Sequence, residues 1–138
     1  MSVIDMKAMR YINLLDKVSH VRTSKCFVHN NVIFFAVPGT QVSKAIGHSA
    51  ANVRKMQEQI GKRIKIIREA EGVLDSKRFV EDVVSPVKIR SLEVKDNCII
   101  ITAGNNQSKA FLIGRNKRRF EELRRIMQDM FHMDLKII

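Results

Sequence analysis

Apolar positions recur every three to four residues from 4 to 18 (Ile4, Met6, Met9, Ile12, Leu15, Val18), the period of a helix with one buried face. The pattern then changes. Residues 21–28 and 32–37 are β-branched and aromatic runs on either side of Asn30-Asn31, which reads as two strands of a hairpin. Pro38-Gly39 stops the second strand. A short helix is expected from about Gln41 to Ile46, then a break at Gly47, then a helix from about Ala50 to Ile60. Gly61 stands where a left-handed C-cap belongs, and residues 63–68 form a last strand.

The same order returns further on. Val21-Arg-Thr-Ser-Lys-Cys-Phe-Val28 lies over Val87-Lys-Ile-Arg-Ser-Leu-Glu-Val94, and Ile46-Gly47 falls on Ile113-Gly114, an offset of 66 to 67 residues. Val53, Met56 and Ile60 match Phe120, Leu123 and Met127, and Ile64-Lys-Ile-Ile67 matches Leu135-Lys-Ile-Ile138 after about four extra residues. The second unit therefore reads as helix 75–84, strands 87–94 and 98–103, helices 107–113 and 117–131, and strand 134–138. Residues 69–75 look like a linker hinged at Gly72, and Pro86 bounds helix from strand. The expected architecture is α+β, two tandem domains over 1–70 and 71–138. Each runs helix, strand, strand, helix, helix, strand, with a three-stranded sheet.

Charge narrows the partners. Across 138 residues there are 25 Lys and Arg against 14 Asp and Glu, a formal net charge of +11. Such a surplus favours polyanions, because each cation that neutralises a phosphate releases condensed counterions. No apolar run approaches the roughly 20 residues of a membrane-spanning helix. Asp5, Lys7 and Arg10 interrupt the only candidate secretory segment. Cys26 and Cys98 sit in strand-like apolar runs and read as buried thiols in a reducing compartment, so the expected location is cytoplasmic.

Chemistry concentrates where the helices break, at Gly47-His48-Ser49-Ala50 and Gly114-Arg115-Asn116-Lys117. A helix start presents backbone N–H groups to an anion, and glycine lets a sugar-phosphate backbone come close. Basic residues follow: Arg54 and Lys55 in the first copy, Arg115, Lys117, Arg118 and Arg119 in the second. An apolar groove beside such a loop suits unstacked bases, the form in which RNA sequence is usually read.

Two copies of strand, helix, Ile-Gly-x-x, helix, strand resemble the tandem KH pair of archaeal NusA-like transcription factors. Ser43-Lys-Ala-Ile-Gly-His-Ser-Ala-Ala-Asn-Val-Arg-Lys-Met56 and Gly61-Lys-Arg-Ile-Lys-Ile66 resemble the first KH domain of that family, and Ser85-Pro-Val-Lys-Ile-Arg90 its inter-domain segment. The resemblance implies two type II KH domains. It implies single-stranded RNA binding in transcription elongation, termination or antitermination, with RNA polymerase as a second partner. Ile46, Gly47, His48, Ser49, Ala50, Arg54 and Lys55, then Gly114, Arg115, Asn116, Lys117, Arg118 and Arg119, become the expected RNA-contacting residues. The family loop is Gly-x-x-Gly, and Ala50 and Lys117 stand at its fourth position here.

Other readings stay open beside this one. Arg115 to Arg119 also fits a solvated helix face, with Glu121 and Glu122 spaced to pair with Arg118 and Arg125. Met56, Met127, Met130 and Met133 read as core filler. Cys26 and His29 have ligand spacing but no second pair nearby, so no metal is expected. No catalytic constellation, Walker loop or dinucleotide fingerprint is found, and neither an enzyme nor a cofactor is expected. A monomer is expected. A ribosome-associated or RNA-processing KH protein and a protein-interaction scaffold with degenerate loops are the competing functions.

Overall fold

The computed structural model describes residues 6–138. Ile4, at the start of the first expected helix, lies outside the described residues. The chain divides into two compact units, Met1–Glu69 and Ala70–Ile138.

In the first unit, α1 (Met6–Ser19) is followed by β1 (Lys25–His29), β2 (Val32–Val37), α2 (Val42–Ile46), α3 (Ala51–Ile60) and β3 (Arg63–Arg68). In the second, α4 (Ser76–Val84) is followed by β4 (Ile89–Lys95), β5 (Cys98–Ala103), α5 (Asn106–Ile113), α6 (Arg118–Phe131) and β6 (Asp134–Ile137). Each sheet is mixed and three-stranded, with the second hairpin strand at its centre. β2 pairs antiparallel with β1 and parallel with β3, and β5 does the same with β4 and β6. The parallel step needs a crossover, and the helix pairs α2–α3 and α5–α6 supply it.

Both hairpins close on two-residue turns whose residues all have positive φ: Asn30 (50°) and Asn31 (63°), Asp96 (52°) and Asn97 (58°). Asn and Asp tolerate this conformation, and its twist matches that of the flanking strands. β1 begins four residues later than the apolar pattern implies. Val21 leaves the ladder to join the core at 2% exposure. The Thr23 hydroxyl donates to the Ala36 carbonyl at 2.6 Å, replacing a ladder bond.

In unit one the helices cover one sheet face. Leu15, Val21, Ile33, Phe35, Val37, Ala45, Met56, Ile64 and Ile66 form the core, with alternate residues of β2 and β3 pointing into it. In unit two Phe79, Val80, Val83, Ile99, Ile101, Leu112, Leu123, Ile126, Met127 and Leu135 are buried. Full burial of a Phe or Leu side chain contributes about 1.5–3 kcal/mol each, so these side chains dominate the stability of the units. The four extra residues of the second copy lie in α6, which has 14 residues against 10 in α3. One added turn of about 3.6 residues leaves the apolar face in register. The caps differ accordingly: α3 ends on Gly61 (φ 76°), whereas α6 ends on His132, left-handed at φ 56°.

Both ends of residues 69–75 are bonded, each within its own unit. The Glu69 N–H donates to the Val37 carbonyl at 2.8 Å, and its carboxylate meets Lys25 Nζ at 3.1 Å. The Glu71 N–H donates to Asp75 Oδ2 at 3.2 Å. Arg78 then grips Asp75, and Asp82 at 2.9 Å, and these carboxylates, Asp75 first, hold its guanidinium above its ordinary pKa. Gly72 has φ 109° and ψ −177°, a conformation that only glycine adopts readily.

Candidate nucleic-acid interface

The two loops have the same backbone. Gly47 has φ 83° and ψ 166°, and Gly114 has φ 76° and ψ 172°. Two residues on, at the third and fourth loop positions, both loops turn left-handed: Ser49 (51°, 35°) and Ala50 (60°, 28°) against Asn116 (56°, 29°) and Lys117 (59°, 24°). Left-handed geometry costs a non-glycine L-residue about 1–2 kcal/mol, so Ala50 and Lys117 each carry strain that a glycine would not.

The structure gives the first glycine of each loop a role that charge patterning did not expose. A Cβ on Gly47 would lie 2.8 Å from the Asn52 side chain, and one on Gly114 would lie 3.1 Å from Arg119. Asn52 and Arg119 occupy equivalent positions and make equivalent bonds. Asn52 Nδ2 donates to the Lys44 carbonyl at 3.1 Å, and Arg119 Nε donates to the Phe111 carbonyl at 2.6 Å. Each bond fastens the second helix to an end carbonyl of the first. Arg119 also lays its guanidinium over the Phe111 ring, 4.4 Å from the centroid. It is half-buried, so its first task is to tie α5 to α6.

The loops partly satisfy their own N–H groups. Ala50 N–H bonds the Gly47 carbonyl at 3.1 Å, and Lys117 N–H bonds that of Gly114 at 3.2 Å. The following residues, Ala51 and Arg118, donate to His48 and Arg115. The anion-facing groups of an open helix start are therefore reduced, and the side chains gain weight.

Those side chains differ. His48 and Ser49 are exposed and Ala50 half-buried, while Arg115, Asn116, Lys117 and Arg118 are all exposed. Arg54 reaches back to the Ser49 carbonyl and Lys55 stays exposed. Ile46 is half-buried and packs on the core, which makes it a support for the loop. On α6, Glu121 pairs with Arg124 at 3.9 Å and not with Arg125, and Arg124 also bonds Asp134 at 2.8 Å. The Asp134 carboxyl lies below its ordinary pKa, first because it accepts the Leu135 N–H and then because of Arg124. Met56 and Met127 are fully buried, and the Cys26 and Cys98 side chains are half-buried. Among the described residues no helix is long and apolar enough to cross a membrane.

No family model matches the chain. Three curated proteins carrying the description probable transcription termination protein NusA are similar to it. That of Halococcus morrhuae is 23% identical over 129 residues, 92% of this chain and 91% of its own length. Those of Methanocaldococcus jannaschii and Methanococcus vannielii are each 26% identical over 84 residues, 61% of this chain. The match covers only 44% and 47% of those two proteins. Among solved structures, the crystal structure of APE1850 aligns over 98% of this chain and 100% of its own, with a TM-score of 0.66 and 22% identity. That likeness shows the fold. Across 92% of its length and at low identity, the chain resembles the archaeal NusA-like transcription termination proteins.

Proposed function

We propose that the chain is a single-stranded RNA-binding factor acting in transcription elongation, termination or antitermination, built from two type II KH domains over 1–70 and 71–138. The observation that carries this reading is the repetition of one strained loop, with matching φ and ψ at Gly47 and Gly114 and at the left-handed residues that follow. Strain kept twice is most simply explained by a shared task. Gly47 and Gly114 shape the turns, supported by Ile46. His48, Ser49, Ala50, Arg115, Asn116 and Lys117 meet the RNA backbone, with Arg54, Lys55, Arg118 and Arg119 supplying positive charge beside it. A net charge of +11 supports a phosphate-rich ligand, and the descriptions of the similar proteins support transcription as its setting.

The protein works without enzymatic chemistry, as a cytoplasmic monomer, with RNA polymerase as a second partner. Fluorescence anisotropy with short single-stranded RNAs across a salt series tests the reading. The logarithm of affinity falls linearly with the logarithm of salt, by about 0.7 for each phosphate neutralised on a single strand. Absence of binding at low salt, or binding indifferent to salt, removes it.

A further inference from the structure

We infer that a groove between α1 and α3 holds one unstacked nucleotide of an RNA whose backbone crosses the loop at Gly47, an inference that rests on the RNA-binding reading. α1 packs against α3, and between them Lys7, Arg10, Tyr11, Leu14, Gln59 and Ile60 line a groove of about 420 Å³. That volume falls in the range of small-ligand sites, about 300–1,000 Å³. Leu14 and Ile60 form an apolar floor that rests on the core, with the half-buried Tyr11 ring beside them. Lys7, Arg10 and Gln59 are exposed at the rim. Two of the six lining residues are cationic and none is acidic.

This combination matches the parts of a nucleotide. A base has a flat apolar face, hydrogen-bonding edges and an attached anion. The Tyr11 ring offers a stacking surface, the Gln59 amide a donor and an acceptor, and Lys7 and Arg10 opposite charge for the phosphate. Position adds to chemistry. The loop precedes the first residue of α3, and Gln59 and Ile60 are its last two. Ten residues at 1.5 Å each separate loop and groove by about 15 Å. Ala51, Lys55 and Gln59 are spaced by four, so they form one row along the helix, with exposed Lys55 midway. The row would carry a strand from the loop to the groove.

The test uses the whole chain and single-stranded RNAs from about 4 to 16 nucleotides, the span of common single-strand sites. The variants are Lys7→Glu with Arg10→Glu, Tyr11→Leu and Tyr11→Phe, each verified as folded by circular dichroism. On the longest RNAs, the double charge reversal and Tyr11→Leu each weaken binding about tenfold, while Tyr11→Phe stays within about twofold because the stacking face remains. On the shortest RNAs all variants match wild type. If the variants bind long RNA like wild type while Arg115→Ala with Lys117→Ala weakens it, the groove inference falls and the RNA reading stands. If wild type binds no RNA, both fall. If the groove variants leave RNA binding intact but abolish binding of polyglutamate, the occupant is an acidic peptide and the nucleotide inference is overturned.

Discussion

The first loop takes its nearest cation from Arg54 on the following helix, while the second carries Arg115 and Lys117 within it, yet their backbones agree closely. Ala50 and Lys117 differ in size, charge and helix preference, but their φ values are 60° and 59°. The conformation is therefore imposed by what lies on either side. A glycine allows the chain to double back, and a side-chain bond from the following helix fastens it. The second fastening is stronger, since Arg119 adds a ring contact to a 2.6 Å bond where Asn52 makes one exposed bond of 3.1 Å. The first loop borrows charge from Arg54, bonded to the Ser49 carbonyl, and the second carries its own, so two repeats of one fold present charge in different ways.

The largest expected effects come from the glycines. Gly47→Ala places a Cβ 2.8 Å from Asn52 in a conformation that alanine avoids, and should lower stability by about 2–3 kcal/mol in thermal or urea unfolding. Gly114→Ala meets Arg119 at 3.1 Å and should cost less. The reverse order would mean that the loop contacts do not set the difference. For the same reason an RNA-binding loss in a Gly47 variant would report on folding before it reported on phosphate contact.

The fastenings rank next. Arg119→Ala should cost about 1–2 kcal/mol, from a lost hydrogen bond and cation–π contact. Asn52→Ala should cost about 0.5–1 kcal/mol. Equal losses in urea unfolding would erase the distinction between the loops.

Relief of strain separates stability from binding. Ala50→Gly and Lys117→Gly should each stabilise by up to about 1 kcal/mol, left-handed relief being partly offset by a freer unfolded chain. Ala50→Gly should leave RNA affinity unchanged, whereas Lys117→Gly should weaken it and flatten its salt dependence. Identical binding behaviour would show that the charges of the second loop are ordinary solvated groups.

The elements were legible because each depends on local residue types. The β-branched runs 32–37, 63–68 and 98–103 became strands with those bounds, and Asn30-Asn31 became the first hairpin turn. The start of β1 was misread because Val21 and Thr23 continue an alternating pattern that the sheet does not use. The bonds that Glu69 and Asp75 make on either side of Gly72 are invisible in sequence. At the site, the loops and their charge could be read directly. The fastening role of Arg119 could not, since an arginine in a basic run carries no sign of the carbonyl eight residues before it. Only the offset of 67 between Asn52 and Arg119 hinted that the two positions share a task.

The smallest expected effect concerns acid. The Asp134 carboxyl titrates below its unfolded value of about 3.9. Its contribution is therefore complete above about pH 4 and fades as pH falls through the lower folded value. Asp134→Asn should remove that part of the acid sensitivity in a pH series of unfolding curves and leave stability near neutrality only slightly reduced, as expected for an exposed pair.

The central claim is that both loops meet single-stranded RNA, and backbone amide chemical shifts during titration with a short single-stranded RNA test it most directly. Shifts centred on His48, Ser49 and Ala50 and on Arg115, Asn116 and Lys117, fading as salt is raised, are the predicted result. Shifts absent from both loops while RNA binds elsewhere would contradict it.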